Sequence, residues 1–143
     1  MNIPISENKN VQVIPKEDSR LLVKDIVYAG ETGDILAHFA RPKGDKKLPC
    51  VIIIHENRGL VPHIKDVTRR LSLEGFLAVA PDALSPLGGT PEDNKDVPTL
   101  IQKLDRQSTI KNLVAAVKYL KTLPQSTGNS TSAGRPPNCP CAA

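Results

Sequence analysis

Tryptophan is missing from this sequence, and phenylalanine and tyrosine occur only twice each, so there is no aromatic platform on which bases could stack. Cysteine is scarce too. Cys50, Cys139 and Cys141 make an odd set with two members near the C-terminus, which gives no evenly paired disulfide framework and suits a reducing compartment. No apolar run approaches the roughly 20 residues a bilayer-spanning helix needs, and the VIII stretch at 51–54 is far too short. The opening MNIPISENKN also lacks the apolar core of a secretory signal, so a cytoplasmic protein is expected. Charge of one sign is not concentrated anywhere. The 19 basic and 15 acidic residues are interspersed over 143 positions, and a net charge of +4 without a basic stripe makes nucleic acid an unexpected partner. With 39% hydrophobic and 24% charged residues the chain matches an ordinary globular domain, and no membrane partner is expected.

What is present follows an alternation of strands and helices. Residues 1–20 are polar and broken by Pro4 and Pro15, as in a tail or a segment along a sheet edge. Residues 21–29 and 35–41 are strand-like runs separated by Gly30-Glu31-Thr32-Gly33-Asp34, whose glycines permit the positive φ of a hairpin turn. The stretch PCVIII at 49–54 is continuously apolar and β-branched, the pattern of a strand covered on both faces. From Pro62 the spacing Ile64, Val67, Leu71 predicts an amphipathic helix closed by Gly75, and FLAVA at 76–80 predicts a second buried strand. A loop rich in Gly, Pro and Asp follows to about Asp96. A further helix is predicted from Leu100 or Asp105 to Leu123, with Ile110, Leu113, Val114, Val117 and Leu120 on its apolar face and Pro124 as its stop. Beyond Gly128 the stretch NSTSAGRPPNCPCAA has three prolines and no apolar periodicity, so residues 129–143 are expected to be a low-complexity tail, not a strand.

The buried strand followed by HENRGLVPHIKDVTRRLSLEGFLAVAPDALSPLGGTPED resembles the dienelactone hydrolase (carboxymethylenebutenolidase) family of the α/β-hydrolase superfamily. The resemblance runs from about residue 21 to 128, its N-terminal part only. It implies an α/β fold in which an antiparallel hairpin leads into a parallel sheet with flanking helices, truncated before the nucleophile strand. It also implies hydrolysis of small carboxylic esters or lactones, without a cofactor or metal. In that architecture one oxyanion N–H comes from the loop after the third strand, here His55-Glu56-Asn57-Arg58-Gly59. The resemblance places Glu56 beside the nucleophile, as a carboxylate that helps a thiol lose its proton, and makes the Asn57 N–H an oxyanion donor. A lone loop carboxylate is otherwise solvated or paired, here with Arg58 or Arg69. Arg58 is a candidate for gripping a substrate carboxylate or, equally, for bracing the loop. His55 and Asp82, each at a strand end, are expected to be structural, and Cys50 an inert core thiol.

Two departures from the family matter. Members acting on dienelactones place an arginine shortly after this Pro-Asp, where Ala83-Leu84-Ser85-Pro86 has none, so dienelactone itself is not the expected substrate. The nucleophile turn G-x-C/S-x-G is also absent from the chain, and Cys139-Pro140-Cys141 follows no strand that could present it. The chain is therefore expected to be catalytically incomplete. With the nucleophile strand missing, the strand at 51–54 should become an exposed apolar edge that self-associates. The alternative function is a non-catalytic interaction module that pairs with a partner through that open edge.

Overall fold

The structure is a computed structural model that describes residues 14, 15, 17–93, 95–124 and 126–133. Its centre is a five-stranded sheet in the spatial order Leu21–Gly30 (β1), Gly33–Pro42 (β2), Leu77–Pro81 (β4), Leu48–Ile53 (β3) and Ser126–Ala133 (β5). β1 (Leu21–Gly30) and β2 (Gly33–Pro42) form the expected hairpin, with Gly30 opposite Gly33 across the turn. Gly33 has φ +123, a conformation that a side chain would strain, and this is why the turn carries glycine. β3 (Leu48–Ile53) and β4 (Leu77–Pro81) are parallel, and β4 runs antiparallel to β2. The architecture is the α/β arrangement the pattern implied.

Helices cover both faces. On one side Ile26, Tyr28, Ile35, Ala37, Phe39, Ile52 and Val79 pack against α3 (Arg106–Lys121) through Leu113, Ala116 and Leu120. On the other, Val51, Ile53, Ala78 and Ala80 meet Ile64, Val67 and Leu71 of α1 (Pro62–Leu73). Pro62 opens α1 at a position where a missing N–H costs nothing, and Gly75 at φ +102 turns the chain out of it. The deepest residues of α1 are polar. Thr68 and Ser72 are fully buried and return their hydroxyls to the helix carbonyls of Ile64 and Arg69, both at 2.8 Å, so small side chains let the helix lie close on the sheet.

The predicted helix at 100–123 is two elements, α2 (Val97–Gln102) and α3. Asp105 separates them by capping α3: its carboxylate accepts from the Ser108 N–H at 2.9 Å. The buried face of α3 is Thr109, Asn112, Leu113, Ala116 and Leu120, while Ile110 and Val114 of the predicted face are exposed. Asn112 explains the rotation. Its side-chain oxygen accepts from the Glu31 and Thr32 N–H groups at 2.7 and 3.2 Å, and its carbonyl takes the Tyr28 hydroxyl at 2.9 Å, so the helix tethers the hairpin turn through a buried amide.

The C-terminal region departs most from expectation. A strand does follow α3: β5 (Ser126–Ala133) lies parallel to β3, with Cys50 opposite Ser130 and Ile53 opposite Ala133. The break expected at Gly128 is thus absent from the backbone, and residues 129–133 continue the strand. Hydrogen bonding along β3 supplies what apolar periodicity did not. β3 is accordingly an interior strand, not the exposed edge on which self-association was premised, and β5 is the edge. Cys139, Cys141 and the rest of the expected tail from residue 134 lie outside the described residues.

Candidate functional site

Strands β3 and β4 both end on the side where the chain turns at residues 54–60. The turn is closed by the Gly59 N–H donating to the Glu56 carbonyl at 3.1 Å. Glu56, Asn57 and Arg58 at its tip are exposed. The Asn57 N–H donates to nothing among the described residues, as an oxyanion donor must. No ion pair among them joins Glu56 to Arg58 or Arg69, so its carboxylate is not consumed by the pairing that a purely structural role would favour.

Two buried anchors hold this turn. The His55 ring, 1% exposed, has Nδ1 2.8 Å from the Glu56 carbonyl and Nε2 2.9 Å from the Ala83 N–H. A carbonyl can only accept and an N–H can only donate, so Nδ1 carries the proton and the imidazole is neutral. Burial pushes its pKa down, against the Glu56 carbonyl and the Asp82 carboxylate 3.8 Å away. Both nitrogens are engaged, which fits a structural histidine.

The second anchor is Thr90, which sequence reasoning missed. Its hydroxyl donates to Asp82 Oδ1 at 2.8 Å and accepts the Leu60 N–H at 2.9 Å, while its own N–H reaches Asp82 Oδ2 at 2.7 Å. Asp82 also takes the Leu84 N–H at 3.0 Å, so this buried carboxylate organises the whole 82–90 loop. Gly59 sits against Thr90: with φ +80, a Cβ there would lie 2.5 Å from the hydroxyl oxygen. Any side chain at 59 would push the two loops apart.

Between the turn and α1 is a groove of about 430 Å³. Ile53, Ile54, Val61, Ile64 and Val67 give it apolar walls; Glu56, Asn57, Arg58 and His63 bring polar groups to it. The three sequence-predicted residues are thereby brought to one cavity. Ile64 and Val67 had been placed only on a helix stripe, and His63 carried no signal of its own. An apolar groove with a few convergent polar groups beyond the carboxyl ends of parallel strands suits a small organic ligand. Cys50 is buried 3.2 Å from the Ser126 hydroxyl, away from the groove lining, and burial raises its pKa as expected of an inert thiol. Among the described residues no group of three or more His, Cys, Asp or Glu could hold a metal ion. Nor is any described helix long and apolar enough to cross a membrane.

The family model described as "Dienelactone hydrolase family" matches residues 35–134. The chain belongs to the dienelactone hydrolase family. The match takes in β5 and passes the expected break at Gly128 by six residues (134 − 128). Among relatives, the "Putative hydrolase fragment YghX" of Escherichia coli (strain K12) is 37% identical over 91 residues, covering 62% of this chain and 78% of that protein. A "Putative carboxymethylenebutenolidase" of the same strain is 46% identical over 87 residues, which are 56% of this chain and 32% of that protein. A solved structure, the "Putative Dienelactone Hydrolase" from Klebsiella pneumoniae, superposes with a TM-score of 0.69 at 26% identity, covering 78% of this chain and 48% of the other. This dienelactone hydrolase family chain therefore spans about half of that solved hydrolase and about a third of that carboxymethylenebutenolidase.

Proposed function

We propose that the chain supplies one wall of the active site of a hydrolase acting on small carboxylic esters or lactones. The observation that carries this is the groove, where Glu56, the unengaged Asn57 N–H and Arg58 meet apolar walls beyond the strand ends. In this reading the ester carbonyl approaches Asn57, whose N–H stabilises the oxyanion as the tetrahedral intermediate forms. Glu56 accepts the proton of the nucleophile, and Arg58 binds an acidic group on the substrate. The nucleophile itself has no G-x-C/S-x-G turn in the sequence, so the chain alone binds such molecules without turning them over.

The test uses the full chain and a small activated ester. Amide shifts on titration should concentrate at residues 56–64, with no hydrolysis above the uncatalysed rate. Shifts spread evenly over the protein would remove the site. A turnover that Glu56→Ala abolishes would show that the chain is complete.

A second reading, association through the sheet edge, is favoured by one feature: β5 contains no charged residue and no proline, the usual guards of an edge strand. On this reading β5, not β3, pairs with another chain. Sedimentation at micromolar concentration should then show a species heavier than 15.5 kDa.

A further inference from the structure

A second buried polar cluster lies on the α1 face of the hairpin, apart from the groove. His38 on β2 is 4% exposed and faces Asp25, its cross-strand partner, with Nδ1 2.9 Å from the carboxylate. Its Nε2 is 3.0 Å from Arg69 Nη1 on α1. A guanidinium can only donate, so Nε2 is the acceptor, the proton sits on Nδ1, and His38 bridges Asp25 to Arg69 as a neutral imidazole. Arg69 continues the chain of contacts by donating its Nε–H to the Ile14 carbonyl at 2.5 Å. The Ile14 N–H in turn donates to Asp66 Oδ1 at 2.7 Å, one turn earlier on the helix. The main chain ahead of β1 is thus clasped to α1 at both polar groups of one residue.

We propose that Asp25, His38 and Arg69 form an acid-sensitive latch, which holds the main chain at Ile14 on α1 while His38 is neutral and lets it go when His38 gains a second proton. That proton can only go to Nε2, and there it meets the N–H of Arg69. A hydrogen bond becomes two opposed donors, and two cations share a buried site. The surroundings do not relieve this. Lys65 on α1 lines the same cavity of about 370 Å³; Lys24 on β1, which also borders it, turns its ammonium to the Phe39 ring 5.5 Å away on the α3 face, and across the sheet His38 is opposite the apolar Ala80. Asp66 is turned to Ile14 and Arg70, at 2.7 Å each. Among the described residues Asp25 alone opposes the new charge, and its carboxylate is 59% exposed, so water screens it.

Arg69 therefore moves away from the imidazole and withdraws its bond from the Ile14 carbonyl. A groove of about 330 Å³ lined by Ile14, Val67, Leu71 and Leu73 is then left open on its Ile14 side. Burial, assisted by Arg69 and Lys65, keeps the His38 pKa below its ordinary value, although the Asp25 hydrogen bond works the other way. The folded state binds the proton less readily than the unfolded chain. The latch's contribution is accordingly complete above the ordinary pKa of about 6.5 and is lost as pH falls below it through the folded value.

The experiment is amide hydrogen exchange by NMR on the full chain from about pH 7.5 to 5, corrected for intrinsic rates, with His38 followed by its ring nitrogen shifts. The protection of the Ile14 amide should fall by up to about tenfold per pH unit as pH drops from about 6.5 to the His38 midpoint and level off below it, while amides of β4 hold. His38→Gln can keep a donor toward Asp25 and an acceptor toward Arg69 but cannot titrate, and should leave Ile14 protection flat over the range. Constant Ile14 protection in the unsubstituted chain, or the same decline in His38→Gln, would overturn the latch. Should that variant fail to fold, the unsubstituted protein still decides. An Nε2–H tautomer at neutral pH, or a His38 midpoint that does not track the loss of Ile14 protection, would overturn it equally.

Discussion

β4 and β5 flank the same strand, β3, and are held by different physics. β4 is buried at all five positions and is paired on both sides, to β2 and β3, so apolar burial and a complete ladder reinforce each other. β5 is a run of Ser, Thr, Gly, Asn and Ala whose ladder among the described residues is with β3. One strand is specified by its own side chains, the other by the edge it lies against. The largest effect expected from this contrast is at Leu77, which is fully buried in β4: Leu77→Ala should cost about 2–5 kcal/mol in a urea melt. A loss well under 1 kcal/mol would mean that β4 is no better specified than its neighbour.

A smaller loss is expected where β4 hands over to the loop supporting the groove. Asp82→Ala orphans the Leu84 and Thr90 donors and should cost about 1.5–3 kcal/mol. Because Thr90 also holds Leu60, exchange at the turn of residues 56–60 should rise with it, while the α3 face of the sheet stays protected. If the turn's exchange were unchanged, its geometry would owe nothing to this network.

The same contrast explains what could be read from the sequence. The hairpin, β3, β4 and α1 announce themselves because apolar periodicity, β-branching and Pro or Gly punctuation agree there. β5 has none of these signals, since Ser, Thr and Gly alternate with nothing apolar, and its conformation comes from the ladder it completes along β3. The α3 face was misjudged for a related reason. Asn112, which no hydrophobic scale would bury, is drawn inward by the unpaired N–H groups of a turn 80 or so residues away in sequence. At the groove, Glu56, Asn57 and Arg58 were found through family resemblance. Thr90 and His63 were not, because a lone loop threonine or an exposed helix histidine has no pattern to betray it. The Asp25–His38–Arg69 chain was equally invisible, as it joins two strands and a helix through contacts that no local window contains.

Ending the chain at Pro124 tests the edge strand directly. Eight residues of β5 are lost, and at the usual ~0.1 kcal/mol per residue the direct cost is only about 1 kcal/mol, below that of Leu77→Ala. The consequence for association should be larger. Val51, Ile52 and Ile53 would then lie on an uncovered edge, and the shortened chain should sediment as larger species than the full one. If the shortened chain unfolded outright, β5 would be as integral as β4 and the contrast would collapse.

The smallest change in stability separates what β5 does for the fold from what it does at the surface. Thr127 is an exposed position near the start of β5. Thr127→Lys adds a charge to a strand that has none, and as a surface substitution it should alter stability by no more than about 0.5 kcal/mol. Pairing of two β5 edges would, however, draw the added lysine of each copy out of water and place like charges on both sides of the new interface. The variant should therefore stay monomeric at concentrations where the parent associates, and added salt should restore part of the association by screening these charges. Unchanged sedimentation in Thr127→Lys would assign any self-association to another surface, with the exposed Val27 and Leu36 pair on the hairpin as the next place to substitute.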